Sequence, residues 1–175
     1  MVLNPRRERQ VVAPGPQVLD ASRFAPDNRR RLSAPGLRTF AAIADLWGLS
    51  EEQRRLILGM PSRSTFHAWM KAAREHRDVT LDVDVLTRIS VVLGIHQALE
   101  LLHDEEPAAV AWLKRPHLAP VFGGQPPLSL MVSGTQDGLM QVRRFLDASR
   151  GGLYMPPNEI DADPRPYADA EIVFS

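Results

Sequence analysis

The chain has 175 residues, 44% hydrophobic and 24% charged, enough for one ordinary domain or two small ones that share a core. Lysine plus arginine and aspartate plus glutamate both number 21, so net charge points to no partner. The absence of cysteine excludes disulfide frameworks, thiol nucleophiles and cysteine-held zinc, and suits a cytoplasmic protein. No run reads as a membrane span, and "MVLNPRRERQ" has no apolar stretch behind its basic residues, so no secretory signal is expected.

Residues 1–35 carry Pro5, Pro14, Pro16, Pro26 and Pro35 with little apolar periodicity, and read as a flexible basic arm with a short helix near 18–24. Arg6, Arg7, Arg9, Arg23 and Arg29 to Arg31 stand against Glu8, Asp20 and Asp27 there, a net +4. "LRTFAAIADLWGL" places Leu37, Phe40, Ile43, Ala44 and Trp47 on one helical face, and Gly48 ends it. Ser50 with Gln53 three residues later predicts a capping-box helix start, with Glu51 and Glu52 where the helix dipole favours them. In "MPSRSTFHAWMKAAR", Ser62 is an N-cap candidate; Phe66, Trp69, Met70 and Ala73 form an apolar stripe opposite Arg63, His67, Lys71 and Arg74. "TLDVDVLTRISVVLG" predicts a helix stopped by Gly94, "IHQALELLHDEE" a further one, and "PAAVAWLKRP" a helix begun at Pro107. After the turn-rich "HLAPVFGGQPP" and "LSLMVSG", "TQDGLMQVRRFLDASRGG" is the last helix; only "EIVFS" alternates like a strand. The expected fold class is all-α.

Two short helices, about 51–58 and 63–74, joined by a glycine-bearing turn, are the helix-turn-helix pattern. Its second helix would enter the DNA major groove with Arg63, Ser64, Thr65 and His67 at the leading end. Arginine can fork onto guanine, hydroxyls take base edges or phosphate, and Lys71 and Arg74 would hold the flanking backbone. The same pattern also fits an ordinary helical core with a solvated basic edge. Catalysis finds no foothold: the five histidines show no metal-ligand spacing, Gly123-Gly124 lies in no phosphate-binding motif, and Ser133 and Ser149 stand in no nucleophile elbow. No enzyme activity, cofactor or metal is expected.

"RSTFHAW", "LTRISVVLGI", "QALELL", "AWLKRP", "FGG", "PLSLM" and "VRRFLDASRGG", in that order across residues 40–152, resemble the Xre/MbcA/ParS antitoxins. Ser129 stands where the family pattern has Asp within "PLDLL", and "RPHLAPVFGG" is longer than the usual link. The resemblance implies an Xre-like helix-turn-helix half, here 36–103, packed on a small helical toxin-binding half, 104–152. It implies two partners: a cognate RES-domain toxin, ADP-ribosyltransferase-like and NAD-using, and the operator DNA of a shared promoter. Two copies, as a homodimer or joined through the toxin, would serve adjacent half-sites. A free-standing transcription regulator whose second half dimerises or senses a ligand is the alternative.

For the toxin contact the expected residues are Trp112, Phe122, Leu128 and Met131 as an apolar patch and Arg115, Arg144 and Arg150 as its rim. Residues 153–175 form an acidic tail with Glu159, Asp161, Asp163, Asp169 and Glu171 against Arg165. Asp161, Asp163, Tyr167 and Glu171 are its candidates for toxin contact, with carboxylates placed where a dinucleotide pyrophosphate would otherwise bind.

Overall fold

The computed structural model describes residues 25–151 together with Ser22. Among them are seven α-helices and no strand: α1 Pro26–Leu46, α2 Glu51–Ile57, α3 Arg63–Arg74, α4 Val83–Leu102, α5 Glu106–Lys114, α6 Pro127–Met131 and α7 Gln136–Arg150, with a 3-10 turn at Pro120–Phe122. The helix proposed near 18–24, the strand-like "EIVFS" and the acidic tail lie outside the described residues.

The expected arm of 1–35 is corrected at its C-terminal end, because α1 already begins at Pro26. Pro26 occupies the first turn, where a missing N–H is no loss. Pro35 lies inside the helix, removing a main-chain donor at a cost of about 3 kcal/mol. The helix runs on because its ring faces solvent while Ser33, Leu37, Phe40, Ile43 and Ala44 are buried on the other side. Ser33, wholly buried, donates from Oγ to the Arg29 carbonyl (2.7 Å) and accepts the Leu81 N–H (2.9 Å), tying α1 to the approach to α4.

Gly48, at φ 63°, turns the chain out of α1. Ser50 and Gln53 close the capping box in both directions, at 3.2 and 2.9 Å. Gly59 and Met60, at φ 88° and 62°, make the sharp turn into α3, which Ser62 caps by accepting the Thr65 N–H at 3.1 Å. Phe66, Ala72 and Ala73 of α3 are buried, and Trp69 and Met70 pack at the edge of the core.

The stop expected at Gly94 is also corrected: α4 continues through it to Leu102. A glycine inside a helix costs only about 1 kcal/mol, and here the bare Cα is where α7 crosses. A Cβ on Gly94 would collide with the Arg143 guanidinium. By length and composition alone α4 could cross a membrane, but half of its most apolar stretch is buried inside the protein, where it packs on both α1 and α7. Core residues from Leu37 to Leu146 form one continuous cluster, so the two halves share a single interior.

Ser33→Ala would leave the Leu81 N–H buried without an acceptor, which costs about 1–3 kcal/mol. The urea midpoint should fall accordingly with unchanged slope; a wild-type midpoint would mean that α1 is not held to the body by this contact.

Candidate functional site

Two surfaces emerge from this core. The first is the outer face of α3. Its inner face is consumed by Phe66, Ala72 and Ala73, so the 3.6-residue period forces Arg63, His67, Lys71 and Arg74 outward. Arg63 and His67 both lean on Glu51 from the first turn of α2: Arg63 Nε is 3.3 Å from Oε1 and His67 Nε2 3.3 Å from Oε2. The side chains of Arg63 and His67 remain 75% and 61% exposed, so the bridge is a weak and exchangeable one. Lys71 and Arg74 are exposed and meet no carboxylate among the described residues. Ser64 and Thr65 are placed differently: their hydroxyls sit 2.9 and 2.8 Å from Ser62 Oγ, within the cap network. Four expected residues therefore form an open stripe of nitrogen donors, and two serve first to fix the helix start.

The stripe is held in place by arginines to which their spacing assigns no role. Arg54 Nη2 meets Asp45 Oδ1 at 2.7 Å while its Nε donates to the Leu49 carbonyl. Arg55 Nε donates to the Pro61 carbonyl (2.9 Å) across the α2–α3 turn. Arg38 Nη1 reaches the Ala73 carbonyl (3.2 Å) from α1. Arg88, 8% exposed, donates to Asp84 Oδ2, the Ile57 carbonyl and the Gly134 carbonyl. The readable signal for Arg88 was a lone charge inside the apolar run "TRISVVLG".

The second surface is built around four rings at α5, the 3-10 turn and α7. Trp112 stacks on Phe145 (6.0 Å, 25°), while His117 and Phe122 meet both of them edge-on at 4.9–5.9 Å. His117 Nδ1 accepts the Ala119 N–H (3.3 Å), fixing the start of the link to the 3-10 turn. Beside this cluster opens a cleft of about 600 Å³ whose walls include His103, Ala111, Trp112, Arg115 and His117. Trp112 and Arg115 thus reach a concave surface together, Trp112 half-buried and Arg115 exposed.

Burial divides the other expected contacts. Phe122 is 3% exposed and Met131 0%; both belong to the core, Phe122 as the buried residue of the 3-10 turn and Met131 as the buried end of α6. Both lie beneath the surface of the free chain. Leu128 is half-buried against the core. Arg144 points outward, 67% exposed and 3.8 Å from Asp137, whereas its neighbour Arg143 pairs with Asp147 (2.7 Å) over Gly94. Arg150 lies 3.6 Å from Asp147 at the end of α7. Asp161, Asp163, Tyr167 and Glu171 lie outside the described residues. Leu118, not singled out in the sequence, is 94% exposed at the tip of the lengthened link, bordered by half-covered Val121.

Comparison with known proteins matches two regions of the chain. Residues 27–94 match the model of the antitoxin Xre-like helix-turn-helix domain. Residues 97–152 match that of the antitoxin Xre/MbcA/ParS C-terminal toxin-binding domain. Among curated proteins, the uncharacterized protein y4oB of Sinorhizobium fredii is 40% identical over 116 residues, 66% of this chain and 84% of that one.

Phe122→Ala should lower stability by about 3–5 kcal/mol through the void it leaves. It should also collapse the near-ultraviolet circular dichroism of the ring cluster at temperatures where far-ultraviolet signal persists; a fully native spectrum would contradict the role given to this ring.

Proposed function

Because the chain belongs to the Xre/MbcA/ParS antitoxin family, and is thus the antitoxin of a toxin–antitoxin pair with a toxin-binding second half, we propose that its toxin is a RES-domain enzyme using NAD and that it also represses the operon they share. Inhibition works by occupation of surface in a reducing cytoplasm, with no catalytic step on this chain. What supports the toxin contact is the cleft walled by half-buried Trp112 and exposed Arg115, an aromatic anchor and an arginine on one concave surface. What supports the DNA contact is the uninterrupted exposure of Arg63, His67, Lys71 and Arg74 on a helix capped at its leading end.

Glu51 gives the DNA reading a specific form. The carboxylate holds Arg63 and His67 at the helix start until guanine or phosphate oxygens replace it, so it competes with the duplex and limits binding to unrelated sequences. A single short recognition helix reads few base pairs, so two copies are needed at the operator, through a homodimer or through the toxin.

The reading is tested first by co-expression with the adjacent reading frame. A RES-like chain should copurify in fixed ratio, and its NAD consumption should be suppressed; a chain cut after residue 152 should suppress it less completely if the acidic tail blocks the dinucleotide site. Absence of any copurifying neighbour would refute the toxin assignment, and full suppression by the truncated chain would refute the tail's part in it.

On duplex from its own upstream region, Arg63→Ala should cost about 1–3 kcal/mol and relax preference at one base position. Lys71→Ala should weaken all sequences alike and flatten the salt dependence. Identical effects of the two substitutions on specific and scrambled duplexes would remove α3 from the recognition role.

A further inference from the structure

A second basic surface lies where α1 passes the end of α3. A cleft of about 370 Å³ there is walled by Arg30, Arg31 and Arg38 from α1 and by His76 and Arg77 from the turn after α3, with Asp27 and Asp78 as its acidic members. We propose that this cleft seats a backbone phosphate of the DNA, flanking the bases met by the leading end of α3. This inference rests on the DNA-binding reading given above and adds a site that lies off the recognition helix.

Three observations carry it. The first is what the arginines are doing. Arg29, Arg38, Arg54, Arg55 and Arg88 donate to main-chain carbonyls, and Arg63, Arg77, Arg143, Arg144 and Arg150 stand beside carboxylates. Arg30 and Arg31 do neither among the described residues, although both are exposed and sit on an ordered helix. Lys71 and Arg74 are uncommitted in the same way, so the unspent cations continue from the outer face of α3 to the cleft just beyond it.

The second observation is the backbone at the end of α3. His76 N–H meets the Ala73 carbonyl and Arg77 N–H the Ala72 carbonyl, the closing pattern in which a glycine ordinarily takes the left-handed position. Here that position is His76, at φ 54°. The chain accepts a conformation unfavourable to a side chain and thereby keeps an imidazole on the wall of the cleft.

The third is length. Twelve residues make α3 about 18 Å long, more than the ~12 Å width of the major groove. With Arg63 among base edges, the far end of α3 stands against the backbone that borders the groove. Arginine forks match phosphate oxygens in paired hydrogen bonds, and Arg30 and Arg31 are carried there on an ordered helix, so only their side chains remain to be fixed.

The test uses the full chain carrying Arg30→Gln and Arg31→Gln, two exposed changes to a good helix former, with duplex from its own upstream region titrated across salt. The double variant should bind about tenfold or more weakly at ~0.1 M salt, and the slope of log K against log salt should shrink by about one, as the lost phosphate contact removes roughly 0.9. The ratio of specific to scrambled affinity should not change. Wild-type affinity and slope in this variant, while Arg63→Ala still loses base preference, would overturn the cleft and leave the DNA reading intact. Weakened binding with an unchanged slope would overturn the cleft as well. Failure of the wild-type chain to bind the duplex would overturn both.

Discussion

The Arg88 guanidinium is the contact on which the arrangement of the two halves depends. It is almost completely buried, anchored one helical turn back by Asp84 Oδ2 at 2.7 Å, and donates to the Ile57 carbonyl at 3.4 Å and the Gly134 carbonyl at 3.2 Å. Burying a cation is costly unless its donors are used. Here they satisfy carbonyls at the end of α2 and in the α6–α7 loop, groups that no helix would otherwise pair. Gly59 completes the fit: a Cβ there would stand 3.2 Å from Arg88 Nε, and φ 88° already suits only glycine well.

From this contact follows the position of α3. The α2–α3 turn is gripped from below by Arg88 and along its length by Arg55, and Gly134 of the other half lies against Met60 and Leu56. The leading end of α3 is therefore placed by residues from both halves of the chain. Gly138 plays the matching part on the far side, since a Cβ there would run into the Leu130 carbonyl and force α6 away from α7. Close approaches of this kind, more than the number of apolar contacts, set the geometry of the two candidate surfaces.

Local chemistry made much of this legible in the sequence. Ser50 with Gln53, Ser62 and Gly48 act through neighbours within five residues, and each stands where its spacing put it. The split between apolar and basic faces of α3 is likewise a matter of period alone. Failures came where a distant partner decides. Pro35 reads as a breaker, yet the burial of Ser33, Leu37 and Phe40 on the face opposite its ring carries the helix across it. Gly94 reads as a stop, yet Arg143 needs its missing side chain. Phe122 and Met131 look like surface contacts only while nothing shows that they seal the interior, and the role of Arg88 depends on carbonyls 31 and 46 residues away.

The uninterrupted course of α4 through Gly94 has a bearing on how such molecules diversify. A crossover between the two matched regions, at residues 94–97, would cut this helix in mid-course and separate the glycine from the arginine that crosses it. Chimeras can then inherit a new specificity only when the donor's α7 carries a side chain that the recipient's groove admits. Modular shuffling is thereby penalised, whereas change on the exposed link bearing Leu118 leaves this crossing untouched.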